Sequence, residues 1–492
     1  MNKIIIITFV FIACLAQQIT AQQTKKMTLD EVIKLALDQS PESFLAKHKF
    51  RGSYWQLRTH KAKFKPSLTL NAELPDLNRS ISQLTLSDGT DAFVERKVMN
   101  SSVDLQINQN IGFTGGQIFV TSGLQRIDLL QDSTQTSYLS TPINIGFIQP
   151  LFAFNSYRWE RKIEPLLYDE AKQQYIETLE TISMNATYYF FDLITAQINL
   201  SIANMNYSNS DTLYKISKGR YNVGTIAQND LLQMELNYLN SSIALEDAKL
   251  DLEIKKFKLR SFLGFNNNVD IELVIPQDVP EFKVDVNDAI AKSKESNSQI
   301  IAYQRQLIES NRDVAEARAK NRFNANLYAT YGLTQSTDNL DKVYTNPQDQ
   351  QMVRVGITVP IIDWGLGRGR YKMAQSNQEA TRVTVEQALV DFEQDVFLKV
   401  MQFNMQASQV KIKAKADTVA QNRYEVSKQR FLIGKIDVLN LNDALTEKDI
   451  AKRNYISALR SYWYYYFIIR KISLFDYQKS VPLKQEFEKL ID

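Results

Sequence analysis

The chain has 492 residues, with Lys plus Arg at 58 against Asp plus Glu at 55. So small a net charge lacks the strong basic excess of a nucleic-acid binder. Two histidines, His48 and His60, and one cysteine, Cys14, argue against a zinc site, a disulfide scaffold or thiol chemistry. No nucleophile–base constellation is found, so neither enzyme activity nor a cofactor or metal is expected.

The N-terminus reads as a targeting segment, residues 1–21. Lys3 supplies its positive start, Ile4 to Leu15 its apolar stretch, and Ile19-Thr20-Ala21 before Gln22-Gln23 a cleavage site. About 12 apolar residues are short for a spanning helix, which needs about 20. The weaker pattern is a lipobox with Cys14 acylated, because Phe11-Ile12-Ala13-Cys14 fits one poorly. No 18-residue apolar stretch follows. Membrane residence would therefore require a closed barrel.

Next comes a short helix around Leu29 to Ile33, then strands. Leu68, Leu70, Ala72 and Leu74 alternate with Ser67, Thr69, Asn71 and Glu73. Ile143, Ile145 and Phe147 alternate with Asn144 and Gly146; Ala325 to Leu333 and Val353 to Val359 do the same. Successive side chains of a strand point to opposite faces, so each segment has an apolar and a polar side. That is the pattern of a barrel stave about 9–11 residues long. It places Glu73 and Arg354 on the lumen side. Taken singly, each fits a half-buried soluble strand equally well. Between the first two, Val103, Leu105 and Ile107, then Ile118, Val120 and Leu124, alternate around a Gly112 to Gly116 turn. These are either an external hairpin or two further staves. Four staves plus an external hairpin is the favoured reading.

A nearly continuous helix is expected from Ser156 to Gly219. Tyr175, Leu179, Ile182, Ala186, Tyr189, Leu193, Ala196, Leu200, Ala203 and Tyr207 follow steps of four and three, a sustained heptad seam. At 1.5 Å per residue it spans roughly 96 Å. Pro165 kinks it or marks its true start. Its counterpart runs from about Arg368 to Arg430. The return helix has two seams, Leu232, Leu236, Leu239, Ile243, Leu250 and Leu231, Met234, Tyr238, Leu245, Leu252. Two seams suit packing against neighbours on both sides, as in a tube wall. Gly224 and Gly434 free the backbone for the reversals.

These elements repeat. Arg220-Tyr221-Asn222-Val223-Gly224 returns as Arg430-Phe431-Leu432-Ile433-Gly434, and 430 − 220 = 210. Gly146 to Pro150 matches Gly356 to Pro360 at the same offset. Leu29 to Ile33 matches Val286 to Ile290 at 257, so the first half holds about 257 − 210 = 47 extra residues. The organisation is a first repeat over 27–265, a linker over 266–283 with Pro276 and Pro280, a second repeat over 284–476, and a polar tail over 477–492 without a clear element. Gly365-Leu366-Gly367-Arg368-Gly369 imitates a dinucleotide loop, but its spacing is wrong and its strand alternates.

In this order and spacing, the paired R-[YF]-x-x-G tips, the Pro66-Ser67-Leu68 stave entry, and the stave exits at Gln149-Pro150-Leu151-Phe152 and Val359-Pro360-Ile361-Ile362 make the chain resemble the TolC family of outer-membrane efflux proteins. The resemblance implies a mainly α fold with membrane β: a homotrimer sharing a twelve-stranded barrel, four strands per chain, on a long helical coiled-coil tunnel. It implies a passive exit duct in outer-membrane lipid with its tunnel in the periplasm. Partners would be a periplasmic membrane-fusion adaptor and an inner-membrane pump or secretion transporter, with no nucleic acid. Arg220, Tyr221, Gly224, Arg430, Phe431 and Gly434 would dock the adaptor. Asp230, Asn440 and Asp443 would lie at the pore-mouth gate. The competing function is a non-channel envelope spacer, which has no need of a lipid-facing stripe.

Overall fold

The computed structural model describes residues 25–85, 87–130, 134–265, 270–276 and 279–491. The expected signal peptide, with Cys14, lies outside them. The chain divides into two compact units. One holds the residues up to Arg51, Ala171–Ile300 and Leu389–Asp492; the other holds Gly52–Glu170 and Ile301–Ala388.

The first element, β1 (Lys25–Met27), pairs in parallel with β6 (Ile271–Leu273), so the linker carries a strand that alternation over three residues cannot reveal. Helix α1 (Leu29–Gln39) starts at a capping box: Thr28 Oγ1 accepts from the Glu31 N–H, and the Glu31 carboxylate accepts from the Thr28 N–H at 2.8 Å. Leu29, Val32, Ile33 and Ala36 form its buried face, the spacing of one helical stripe. Helix α2 (Pro41–Ala62) follows.

The second unit holds one antiparallel sheet of six strands: β2 (Ser67–Thr85), β3 (Asp91–Ile111), β4 (Gly116–Leu130), β5 (Thr134–Leu151), β7 (Asn324–Thr337) and β8 (Gln348–Thr358). Their order is β2-β3-β4-β5-β7-β8. The expectation of four strands with a hairpin outside is corrected here. The inserted β3 and β4 are hydrogen-bonded between β2 and β5 within the same sheet. Alternation shows that a segment is a strand, but not which neighbours it pairs with.

Helix α3 (Ser156–Asn222) has 67 residues, about 100 Å at 1.5 Å each. It starts well before Pro165, which sits inside it. Its counterpart α7 (Leu366–Leu432) also has 67 residues. The return helices α4 (Gln228–Leu263) and α8 (Val438–Ser473) have 36 each. The seam expected on α3 is buried at Tyr175, Leu179, Ile182, Ala186, Leu193, Ala196 and Ala203. Helices α5 (Val286–Ser296) and α6 (Ser298–Lys320) repeat α1 and α2.

The tail expected to lack elements forms β9 (Phe475–Asp476), β10 (Val481–Pro482) and a 3-10 turn at Phe487–Leu490. Phe487 packs on Phe50 and Tyr175, and the Leu490 carbonyl accepts from Arg51 Nε at 2.6 Å. Pieces this short have no readable period. Among the described residues, no helix is long and apolar enough to cross a membrane, and no cluster of His, Cys, Asp and Glu could hold a metal.

Candidate functional site

Both helical tips close with one hydrogen-bond pattern. After α3 the Thr225 N–H donates to the Arg220 carbonyl and the Gly224 N–H to that of Tyr221, each at 2.9 Å. After α7 the Lys435 N–H donates to Arg430 and the Gly434 N–H to Phe431, again at 2.9 Å. This paired closure places a left-handed residue at the turn, and Gly224 and Gly434 take it with φ of 74° and 71°. A side chain there would meet open space, so backbone conformation alone demands glycine.

The structure brings the two tips together. Arg220 Nη2 donates to the Leu432 carbonyl at 3.1 Å, and its guanidinium lies 5.9 Å from the Phe431 ring centre. Phe431 is buried with Met234, Tyr424 and Leu441, flanked by Leu213, Tyr214, Ile436, Val438 and Leu445. Phe431 therefore holds the hairpins to each other, whereas sequence reasoning placed it on the docking surface. Tyr221 and Arg430 are exposed. The apolar side chains that project at the tips are Val223 and Ile433, 74% and 66% exposed. Their signal was available: each precedes a tip glycine, and 433 − 223 = 210.

Of the expected gate residues, Asp230 and Asn440 sit on the first turns of the return helices and Asp443 on the second turn of α8, all exposed. Asn440 is not free-standing. Its N–H and Nδ2 both donate to Asp437 Oδ1, at 2.8 and 2.7 Å, so Asp437 caps α8. The matching residue before α4 is Ala227, which offers no side-chain cap. Asp230 and Asp443 stand outward without such a clasp in their immediate turn.

Behind the tips lies a buried polar group that the sequence did not signal. Lys448 Nζ is 3.3 Å from Asp449 Oδ1 and 4.4 Å from the Tyr424 ring centre. Asn206 Nδ2 donates to Asp449 Oδ2 at 2.8 Å, and Asn209 Nδ2 to the Tyr424 hydroxyl at 3.0 Å. Burial pushes the Tyr424 hydroxyl pKa up to about 12, so it stays protonated. Packing of α3 and α7 against α8 removes the water around this lysine and aspartate.

In the sheet, register settles the two faces. Asn71 lies opposite Asp104, Thr69 opposite Gln106, Thr121 opposite Gln106 and Asn144, Gly332 opposite Asn144, and Gln350 opposite Gly332. Glu73 and Arg354 belong to this polar face, on the edge strands β2 and β8, and Arg354 reaches the Tyr328 ring at 5.9 Å. The other face carries Leu70, Leu105, Ile107, Val120, Ile145, Tyr331, Val353 and Val355. The glycine-rich segment after β8 carries a carboxylate within its own turn. The Asp363 carboxylate already accepts from the Gly367 and Gly365 N–H groups at 2.8 and 2.9 Å.

The Campylobacter jejuni CmeC outer membrane channel shares the fold with a TM-score of 0.66 at 15% identity, over 94% of this chain and 88% of that one. VceC, an outer membrane protein of Vibrio cholerae, follows at 0.60 and 13%, over 93% and 97%. The open Neisseria gonorrhoeae MtrE outer membrane channel gives 0.59 and 15%, over 93% and 91%. No curated protein sequence matches the chain. The outer membrane efflux protein family matches residues 32–265 and 289–463, so both repeats are covered. The chain belongs to the outer membrane efflux protein family: it is an outer-membrane channel protein of the efflux type, with long periplasmic helices and two internal repeats.

Proposed function

We propose that three copies of this chain form a passive duct for tripartite efflux or type I secretion. They share one closed barrel and one helical tunnel, and the tips dock a periplasmic adaptor joined to an inner-membrane pump or secretion transporter. The observation that carries this reading is apolar surface that a single chain leaves open. On α4 the seam Leu231, Met234, Tyr238, Leu245 and Leu252 turns inward, while Leu232, Leu236, Leu239, Ile243 and Leu250 are 51–63% exposed. On α7 a second stripe stays exposed: Val383, Val390 and Phe397, then Met405, Ile412, Val419 and Val426, each set spaced by seven. The two helices run in opposite directions along the chain, so the α4 stripe of one copy can lie on the α7 stripe of the next. Heptad spacing on both sides is what knobs-into-holes contact requires.

The sheet supports the same conclusion. Strands β2 and β8 each keep one unpaired edge, and an unpaired peptide group in hydrocarbon costs about several kcal/mol. Neighbouring copies remove that cost. Asp230 and Asp443, repeated around a three-fold axis, put like charges at the narrow mouth, where they repel one another and favour cations. Val223 and Ile433 give the adaptor an apolar foothold beside Tyr221 and Arg430. The pump supplies the energy.

The test is purification in mild detergent, mass measurement and planar-bilayer recording. A trimer with steady conductance supports the duct; a monomer without conductance overturns it. Cysteines at Val223 and Ile433 should cross-link to an adaptor, whereas cysteines on the exposed α4 seam should link copies of this chain.

A further inference from the structure

We infer that the inserted strands β3 and β4 are full membrane staves, so that three copies close an eighteen-stranded barrel in which β8 of each copy pairs with β2 of the next. This rests on the three-chain duct proposed above and fixes the architecture of its membrane end. The alternative is a twelve-stranded barrel with β3 and β4 standing outside the membrane as a cap.

Reach is the first argument. Strands β3 and β4 have 21 and 15 residues, and the shortest member of the sheet, β8, has 11; each suffices to cross hydrocarbon at about 9–11 residues. The turn joining β3 to β4 lies at the helix-bearing end of the sheet. Gln109 Nε2 donates to the Phe64 carbonyl at 2.5 Å and Asn110 Nδ2 to that of Lys63 at 2.8 Å. Asn155, one residue before α3, donates from Nδ2 to the Phe113 carbonyl at 3.0 Å. A cap beyond the far rim would not touch the junctions where chain enters and leaves the barrel.

The second argument is the faces. Leu70, Leu105 and Ile107 join the apolar side, and Ile107 faces Val120, which faces Ile145. The apolar band thus enters the inserted pair along the row of Ile107 and Val120, with Ser122 opposite Leu105 in the next row. On the polar side, Asp104 Oδ1 sits where a Cβ on Gly123 would fall, and the Phe119 ring covers Gly146. A hairpin bathed in water on both sides has no use for one apolar face in register with its neighbours.

Parity is the third. Six strands in up-and-down order leave β2 and β8 antiparallel to each other. Copies can then join edge to edge with every pair antiparallel, as membrane barrels require. Adding two strands preserves that parity; adding one would destroy it. With strands about 4.8 Å apart and tilted about 40°, the backbone radius grows from roughly 12 Å at twelve strands to roughly 18 Å at eighteen. The inserted pair widens the barrel.

The experiment is single-particle imaging of the full chain in lipid nanodiscs, with spin labels as an independent readout. We expect eighteen strands around the trimer. Labels on Leu105→Cys and Ile107→Cys should respond to lipid-dissolved oxygen more than to a water-soluble nickel chelate, and a label on Gln106→Cys should respond in the opposite sense. A conducting trimer with twelve strands, or with all three labels favouring the chelate, overturns the eighteen-stranded barrel and leaves the duct standing. A monomer overturns both.

Discussion

Between the first repeat and the second, the long helices and the return helices keep one spacing: 366 − 156, 432 − 222, 438 − 228 and 473 − 263 all equal 210. In the sheet that spacing breaks, because β7 begins 324 − 67 = 257 residues after β2. Helix lengths resist change, since a shift of a few residues moves every later seam position off its partner. A sheet accepts a hairpin as a unit, because two antiparallel strands restore both the direction and the faces of their neighbours. The same contrast appears in small features. Glu180 in α3 is replaced by Val390 in α7, Ala227 by Asp437, and Asn155 at the start of α3 by Gly365 beside Asp363.

The largest expected effect breaks the comparison at Glu180. Burial holds its carboxyl above the usual range, and Arg470 pulls it part of the way back. Arg470 donates to Glu180 at 2.8 Å and to Asp476 at 3.2 Å. Arg470→Met should cost about 3–5 kcal/mol by leaving a buried carboxylate without its counter-charge. Unfolding in denaturant measures this, and no such loss is expected at half-exposed Val390→Ala. Next comes the hairpin that only the first repeat has. Leu105→Arg on the apolar face should cost about 2–4 kcal/mol and deplete membrane-inserted trimer, with Gln106→Arg next to it close to neutral.

The tips should behave alike where they share geometry. Gly224→Ala and Gly434→Ala each put a Cβ at positive φ and should cost about 1–2 kcal/mol, read as faster amide exchange at the affected tip. They should differ where the caps differ. Asp437→Ala should lose about 1 kcal/mol at α8, while Ala227→Asp should gain a similar amount at α4. The smallest effect is a pH dependence confined to the second repeat. Hydrogen bonds from the Gly367 and Gly365 N–H groups hold the Asp363 carboxyl below its ordinary value. Its folded form binds a proton less readily than the unfolded one. The contribution is therefore present above the ordinary carboxylate range and fades as pH falls through the lowered folded value. Protection of the Gly365 and Gly367 amides should drop with acid, and Asp363→Asn should remove the dependence. The α3 start, where Asn155 accepts from the Arg158 N–H, should not respond.

Much of this architecture was legible because its periods are long. Ten seam positions over Tyr175 to Tyr207 leave no doubt about a helix, and the glycines at 224 and 434 mark its reversal. Glu73 and Arg354 lie on the polar face that alternation assigned to them. What could not be read was partnership. Phe431 looked like docking surface because a tip residue has no periodic context, yet it packs under Arg220 of the other hairpin. The burial of Lys448 and Asp449 leaves no local trace in the sequence, because helices distant along the chain cause it. Asp437 as the cap of α8 is legible in the spacing from Asp437 to Asn440.

By itself the chain's order of residues determined the long helices and strands, their two-fold repetition and which side of each long strand is apolar or polar, since these follow from local periods of two and of three and a half. Only the tertiary structure decided that the inserted hairpin joins the sheet between β2 and β5, and which apolar seams close within the chain. Pairing and burial join residues far apart in sequence, and several registers satisfy the same local pattern.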